Sequence, residues 1–187
     1  MDYVIPAPEQ VSIAIVGESK RFPVRRIFCV GRNYVAHIRE MGGDERDPPF
    51  YFCKPTDAIV PTGGSIDYPP QTGNFHYEME LVAAIGKGGA NISEANALDH
   101  VYGYATGLDM TRRDVQIVHR EKGRPWDMGK GFDQSAPCGD IHPVSDVGHF
   151  PEGNLWLKVN GETKQDSDLK LMIWNLQETI ANLSGLV

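Results

Sequence analysis

Two short apolar runs, each ending in carboxylates, limit what this chain can become. Glu78-Met79-Glu80 opens the run Leu81-Val82-Ala83-Ala84-Ile85, and a later run, Val101 to Leu108, ends in Asp109. Runs this short and apolar read as strands covered on both faces. Residues two apart on a strand share a face, so Glu78 and Glu80 project together, and Gly103, Ala105 and Gly107 share the face of Asp109. A face of small residues leading to a carboxylate predicts room for something larger than a side chain.

An isolated Glu-x-Glu reads first as the solvated face of an edge strand, but the apolar run beside Glu80 argues for burial. Two buried carboxylates repel unless they share a proton or hold a cation, and Asp109 as a third acid decides for a metal. Three hard oxygen ligands without Cys or His predict one divalent cation, Mg²⁺ or Mn²⁺ first and Ca²⁺ as a further option, and argue against zinc. The excess negative charge of such a site calls for Lys or Arg nearby.

Twenty Gly and thirteen Pro among 187 residues cut the sequence into short elements, mostly strands with a few helices, enough for one domain with a real core. Val11 to Val16 and Pro23 to Val30 read as a hairpin turning at Gly17-Glu18-Ser19, and Asn33 as the cap of a short helix from Tyr34 to Met41. Pro48 to Lys54 and Ala58 to Val60 read as extended. Thr111 with Asp114 resembles a capping box for a helix to His119, Leu155 to Val159 followed by Asn160-Gly161 reads as strand and turn, and Leu169 to Leu183 has helical spacing. A net charge of −7 without a Lys/Arg cluster leaves no footprint for nucleic acid or an anionic membrane. Three dispersed cysteines and no apolar leader or spanning segment predict a cytoplasmic protein with reduced thiols.

His37 and Glu40, three apart on the expected helix, suit a general base for water with its orienting acid, and a surface pair is the plainer reading. Arg32 and Arg39 flank them, and Gly42-Gly43 before a charged run suggests a lid. Arg113 and Gln116 share a helix face that suits a substrate carboxylate, and Lys130, between two glycines, can reach inward as an oxyanion partner, although a solvated loop lysine is the commoner case.

Together, Gly31-Arg32-Asn33-Tyr34 with His37 and Glu40, Lys54-Pro55, Phe75 to Leu81, Gly107-Leu108-Asp109, Arg113 with Gln116, and Lys130-Gly131-Phe132-Asp133 resemble the fumarylacetoacetate hydrolase superfamily over nearly the whole chain. The resemblance implies an α+β, predominantly β fold, a mixed β-roll or β-sandwich, in a homodimer. It implies Glu78, Glu80 and Asp109 as metal ligands, and His37, Glu40 and Lys130 as catalytic groups. Arg32, Lys54, Arg113 and Gln116 would be the substrate-binding residues. The expected unit is a single catalytic domain over residues 1–187, lacking a strand and a Gly-Thr-Pro-Gly loop with which members continue past Leu183.

The segments Asn74 to Leu81 and Arg120 to Trp126 look most like the fumarylpyruvate hydrolase branch. The resemblance thus implies metal-dependent hydrolysis of a carbon–carbon bond in a 2,4-diketo acid, releasing pyruvate and a carboxylic acid in gentisate degradation. Alternatives on the same metal site are oxaloacetate decarboxylation and hydroxymuconate isomerisation or decarboxylation. A non-catalytic metal-binding protein is the alternative of another class.

Overall fold

The computed structural model describes residues 2–34 and 47–187. Its strands are β1 (Ser12–Ala14), β2 (Arg21–Pro23), β3 (Ile27–Gly31), β4 (Phe50–Lys54), β5 (Ile59–Pro61), β6 (Phe75–His76) and β7 (Met79–Ile85). They continue as β8 (Val101–Leu108), β9 (Thr111–Arg112), β10 (Ala136–Cys138), β11 (His142–Pro143), β12 (Asn154–Val159) and β13 (Glu162–Asp168). Helices are short: α1 (Arg113–Glu121), α2 (Asp127–Lys130), α3 (Val144–Val147) and α4 (Leu176–Ser184). This is the mixed, mostly β architecture expected.

The central sheet runs β11-β8-β10-β5, with β7 antiparallel to β8 and β10 parallel to β5. Its core gathers Ile13, Ile15, Ala84, Ala105, Cys138 and the fully buried Ile141, and a second cluster packs Ile180 of α4 against Ala97, Val101 and Tyr104.

Several local expectations change. The opening hairpin closes on Arg21–Pro23, and Ile27–Gly31 pairs with Phe50–Lys54 instead. The C-terminal helix begins only at Leu176, because Asn175 forms a reciprocal capping box with Glu178. Asn160 and Gly161 adopt positive φ of 52° and 83° and close the β12–β13 hairpin as read.

The β7 strand is covered less than its apolar sequence suggests, since among the described residues it pairs with β8 alone and leaves Ile85 43% exposed. The small face of β8 is also not open space along its length. A Cβ at Gly103 would lie 2.5 Å from the His142 carbonyl oxygen and 2.6 Å from Ile141 Cγ2, so glycine there admits the crossing of β11. Gly103→Ala is expected to destabilise the fold by about 1–3 kcal/mol in chemical denaturation, because the colliding oxygen is backbone.

Candidate active site

The end of the β7–β8 pair assembles the acids. Glu80 stands opposite Gly107 in the register, and Asp109 follows two residues later on the same face; a Cβ at 107 would lie 2.8 Å from Val82 Cγ2, so the glycine there admits the Val82 side chain beside the acids. The Asp109 N–H donates to the Glu78 carbonyl at 2.8 Å, which ties the backbones of two acids together just beyond the paired strands.

Lys130 binds these elements into one cluster. It is 2% exposed, and its Nζ donates to Glu78 Oε2 at 2.7 Å, Asp109 Oδ2 at 2.5 Å and Thr111 Oγ1 at 2.8 Å. All three ammonium protons are thereby used. The lysine reaches inward because α2 lies directly on α1: a Cβ at Gly129 would sit 3.0 Å from the Gln116 backbone nitrogen. The solvated-loop reading of this lysine is thus overturned by the close packing of the glycine before it.

Lys54, also buried, lies 2.8 Å from Asp109 Oδ1 and donates to the carbonyls of Met110, at 3.1 Å, and Lys130. Burial pulls its ammonium below the usual lysine range, against the opposing field of Asp109. Arg113 pairs with Glu78 and donates to Gln116 Oε1 at 2.6 Å, so the expected Arg–Gln face is formed and joined to the acids. The start of α1 is fixed by Asp114, which accepts from Thr72 Oγ1 at 2.5 Å and from the Gly73 N–H at 2.9 Å.

Thr111 does not cap α1. It is fully buried on β9 and hydrogen-bonds the Asp109 carbonyl and Lys130, a role sequence reasoning missed because threonine before a helix carries a capping signal by itself. Asn33 bonds the Trp174 backbone through both ends of its side-chain amide, and the helix expected to follow it lies outside the described residues. Arg32 lies apart from the acids as an exposed residue at φ 55°, its guanidinium 5.8 Å from the Phe50 ring and 6.0 Å from Trp126. His37 and Glu40 lie outside the described residues.

The charges divide unequally among the three acids. Burial works to raise the Glu78 pKa, but Lys130 and Arg113 overcome it and hold the carboxyl near 2. For Glu80 the field of Lys130 is outweighed. Burial first, then the negative charges of Asp109 and Glu78, push it up to about 8. Burial likewise pushes the Cys29 thiol up to about 12, so it is a neutral group in the wall rather than a thiolate ligand. Lys54, Glu80, Asp109, Cys29 and Tyr34 line part of a cavity of about 700 Å³.

Several observations bear on a divalent cation. Among the described residues the Glu80 carboxylate meets no ammonium or guanidinium at ion-pair distance, and buried Asp109 Oδ1 accepts no directed hydrogen bond although Lys54 is close. The donor set of three hard oxygens therefore fits Mg²⁺, Mn²⁺ or Ca²⁺ chemically. The spacing is set by Lys130, which bridges Glu78 and Asp109, and no trio of His, Cys, Asp or Glu among the described residues stands at ligating distances. A cation held by these three acids would have to displace the ammonium from its acceptors.

The model of the fumarylacetoacetate hydrolase C-terminal region matches residues 26–187. A fumarylpyruvate hydrolase of Ralstonia sp is 52% identical over 135 residues, 72% of this chain and 70% of that protein. A mitochondrial oxaloacetate tautomerase of Bos taurus is 40% identical over 163 residues, 87% of this chain and 74% of that protein. The crystal structure of fumarylpyruvate hydrolase from Pseudomonas aeruginosa, in complex with Mn²⁺ and pyruvate, superposes with a TM-score of 0.95 at 54% identity, covering 100% of this chain and 82% of that one. On this combination of fold, sequence match and structural likeness, the chain belongs to the fumarylacetoacetate hydrolase family.

Proposed function

We propose that the chain hydrolyses a carbon–carbon bond of a 2,4-diketo acid, with fumarylpyruvate as substrate and pyruvate and fumarate as products. The observation that carries this reading is the Glu78–Lys130–Asp109 cluster, built on a buried lysine, in a chain 54% identical to the fumarylpyruvate hydrolase crystallised with Mn²⁺ and pyruvate. Such a substrate is supplied by aromatic-ring degradation through gentisate, which is the pathway we assign. We expect a cytoplasmic homodimer, and no helix among the described residues is long and apolar enough to cross a membrane.

Glu78, Glu80 and Asp109 would hold one divalent cation, Mg²⁺ or Mn²⁺ first, which when bound supplies Lewis-acid polarisation of the substrate's 2-oxo and carboxylate oxygens. Arg113 and Gln116 orient the substrate carboxylate, and Lys54 keeps positive charge behind Asp109. His37, held by Glu40, takes a proton from water as its oxygen attacks the distal carbonyl carbon. Lys130 Nζ, exchanging one of its acceptors for the new oxyanion, stabilises the developing charge. The bond between the distal carbonyl carbon and C3 then breaks, its electron pair moves into the 2-oxo group, and C3 is protonated to give pyruvate.

His37→Ala should leave Mn²⁺ binding intact and lower hydrolysis at least about a hundredfold, read as loss of the ultraviolet absorbance of the diketo acid. Full activity in that variant would remove His37 from the mechanism. A second reading, enolisation or decarboxylation of oxaloacetate, is favoured by the 40% identity to the tautomerase and needs no water attack. Turnover of oxaloacetate, followed by pyruvate release and enol absorbance, without any loss of fumarylpyruvate would select it.

A further inference from the structure

One face of β4 leads from the acids to an arginine. Residues 50, 52 and 54 point the same way on that strand, so Phe50, Phe52 and Lys54 form a row about 13 Å long. Its inner end lies in the acid cluster: Lys54 stands 2.8 Å from Asp109 Oδ1, and Lys130 Nζ lies 5.1 Å from the centre of the Phe52 ring. Trp126, immediately before α2, packs along the row, its ring centre 6.1 Å from that of Phe52 and 5.2 Å from that of Phe50. At the outer end the Arg32 guanidinium faces Phe50 and Trp126 at 5.8 and 6.0 Å from the ring centres.

Two features separate Arg32 from a surface arginine that only stacks on a ring. Its backbone is held at φ 55°, in the region that favours glycine, so this side chain is kept against a backbone cost. A Cβ on the preceding Gly31 would collide with the Phe50 ring, and its absence lets that ring lie over β3 beside the arginine. Charge is the second feature. Lys54, Lys130 and Arg113 are committed to Asp109 and Glu78, whereas Arg32 meets no carboxylate at ion-pair distance among the described residues. Arg112 does not compete for the role, because it alternates with Thr111 on β9 and leaves the strand on the face away from Lys130.

Resting on the reading of the chain as a diketo-acid hydrolase, we propose that Arg32 is a specificity residue that binds a carboxylate at the far end of the substrate's acyl arm, with Phe50, Phe52 and Trp126 flanking the flat, conjugated carbons between. The substrates are then 2,4-diketo acids whose acyl group is unsaturated and ends in a second carboxylate. With Lys130 at the attacked carbonyl oxygen and Arg32 at that carboxylate, the four-carbon fumaryl arm and one hydrogen bond at each end span roughly 10 Å, within a row of this length. An acyl arm that ends in a methyl group leaves the guanidinium unmatched and gains nothing from it.

The test measures kcat/KM for fumarylpyruvate and for acetylpyruvate, whose acyl arm is a bare methyl, in the Mn²⁺-loaded parent, Arg32→Gln and Arg32→Lys. Loss of the charge-assisted contact should lower the fumarylpyruvate value about ten- to a hundredfold in Arg32→Gln and leave acetylpyruvate within about threefold of the parent, so that the preference collapses. Arg32→Lys, which keeps the charge without the planar fork, should fall between. Fumarate should inhibit the parent at least about tenfold more strongly than Arg32→Gln, and pyruvate should inhibit both alike. Equal losses on the two substrates, no loss on either, or unchanged inhibition by fumarate would overturn the assignment while turnover by the parent keeps the hydrolase reading standing. A parent that hydrolyses neither diketo acid would overturn that reading and the subsite with it.

Discussion

Lys130→Met should lower kcat for fumarylpyruvate about a hundred- to a thousandfold and destabilise the fold by about 3–5 kcal/mol without added cation. The catalytic loss follows from removing a donor aimed at developing negative charge in a site that is only 2% exposed at that lysine. The stability loss has another origin. Half-buried Glu78 and buried Asp109 would be deprived of the cation that bridges them at 2.7 and 2.5 Å, with Arg113 and Lys54 each reaching only one. Methionine keeps the length and packing of the side chain, so the missing charge is what the variant reports. Millimolar Mn²⁺ should restore much of the thermal midpoint and little of the rate, because a bound divalent ion can neutralise the acids without supplying the oxyanion donor. Recovery of both would place Lys130 in a merely structural role.

The second large effect concerns Glu80. Its carboxyl is raised to about 8 in the fold, against an ordinary value of 4.5. A carboxyl raised in this way favours folding below its unfolded value and loses that contribution as pH rises through its folded value. Without divalent ions, stability should fall by roughly 2–5 kcal/mol between about pH 4.5 and 8 from this group, and Glu80→Gln should abolish that part of the slope. The same substitution should eliminate metal-dependent turnover. In the parent, cation binding must expel the proton, so Mn²⁺ affinity should climb nearly tenfold per pH unit up to about 8 and then level off, with close to one proton released at pH 7. Proton release by calorimetry in two buffers of different ionisation enthalpy checks it, and affinity independent of pH would show that Glu80 is already ionised.

Much of the site was legible because its chemistry is carried by residues costly to bury without partners. Acids at the ends of apolar strands call for cations, and Glu78 and Asp109 meet Lys54, Lys130 and Arg113, while Glu80 has no ion pair among the described residues. Strand pattern and turn residues likewise marked β4, β8 and the β12–β13 hairpin. What failed were positions where one residue type serves two purposes. Thr111 has the sequence of a helix cap and the burial of a strand residue; Gly103 suggested space for a ligand and instead admits a neighbouring backbone. The helical spacing from Leu169 overshoots the C-terminal helix because Leu169 and Met172 continue its period, while its start is written in Asn175 and Glu178, which need each other's geometry to be read. The association of Asn33 with Trp174 had no local signal at all, since its partners are 141 positions apart.

That separation has a kinetic consequence. Bringing Asn33 to Trp174 closes most of the chain into one loop, and the Ile15–Ile141 bridge closes another almost as long. Contacts of such range form late, after loop-closure entropy has been overcome by local pairing such as β7 with β8. On the ribosome, Tyr34 and Asp47 must wait for Trp174 at the start of α4 before they can be held in register. The acids on and beside the β7–β8 pair can therefore be gathered before Asn33 and Trp174 meet.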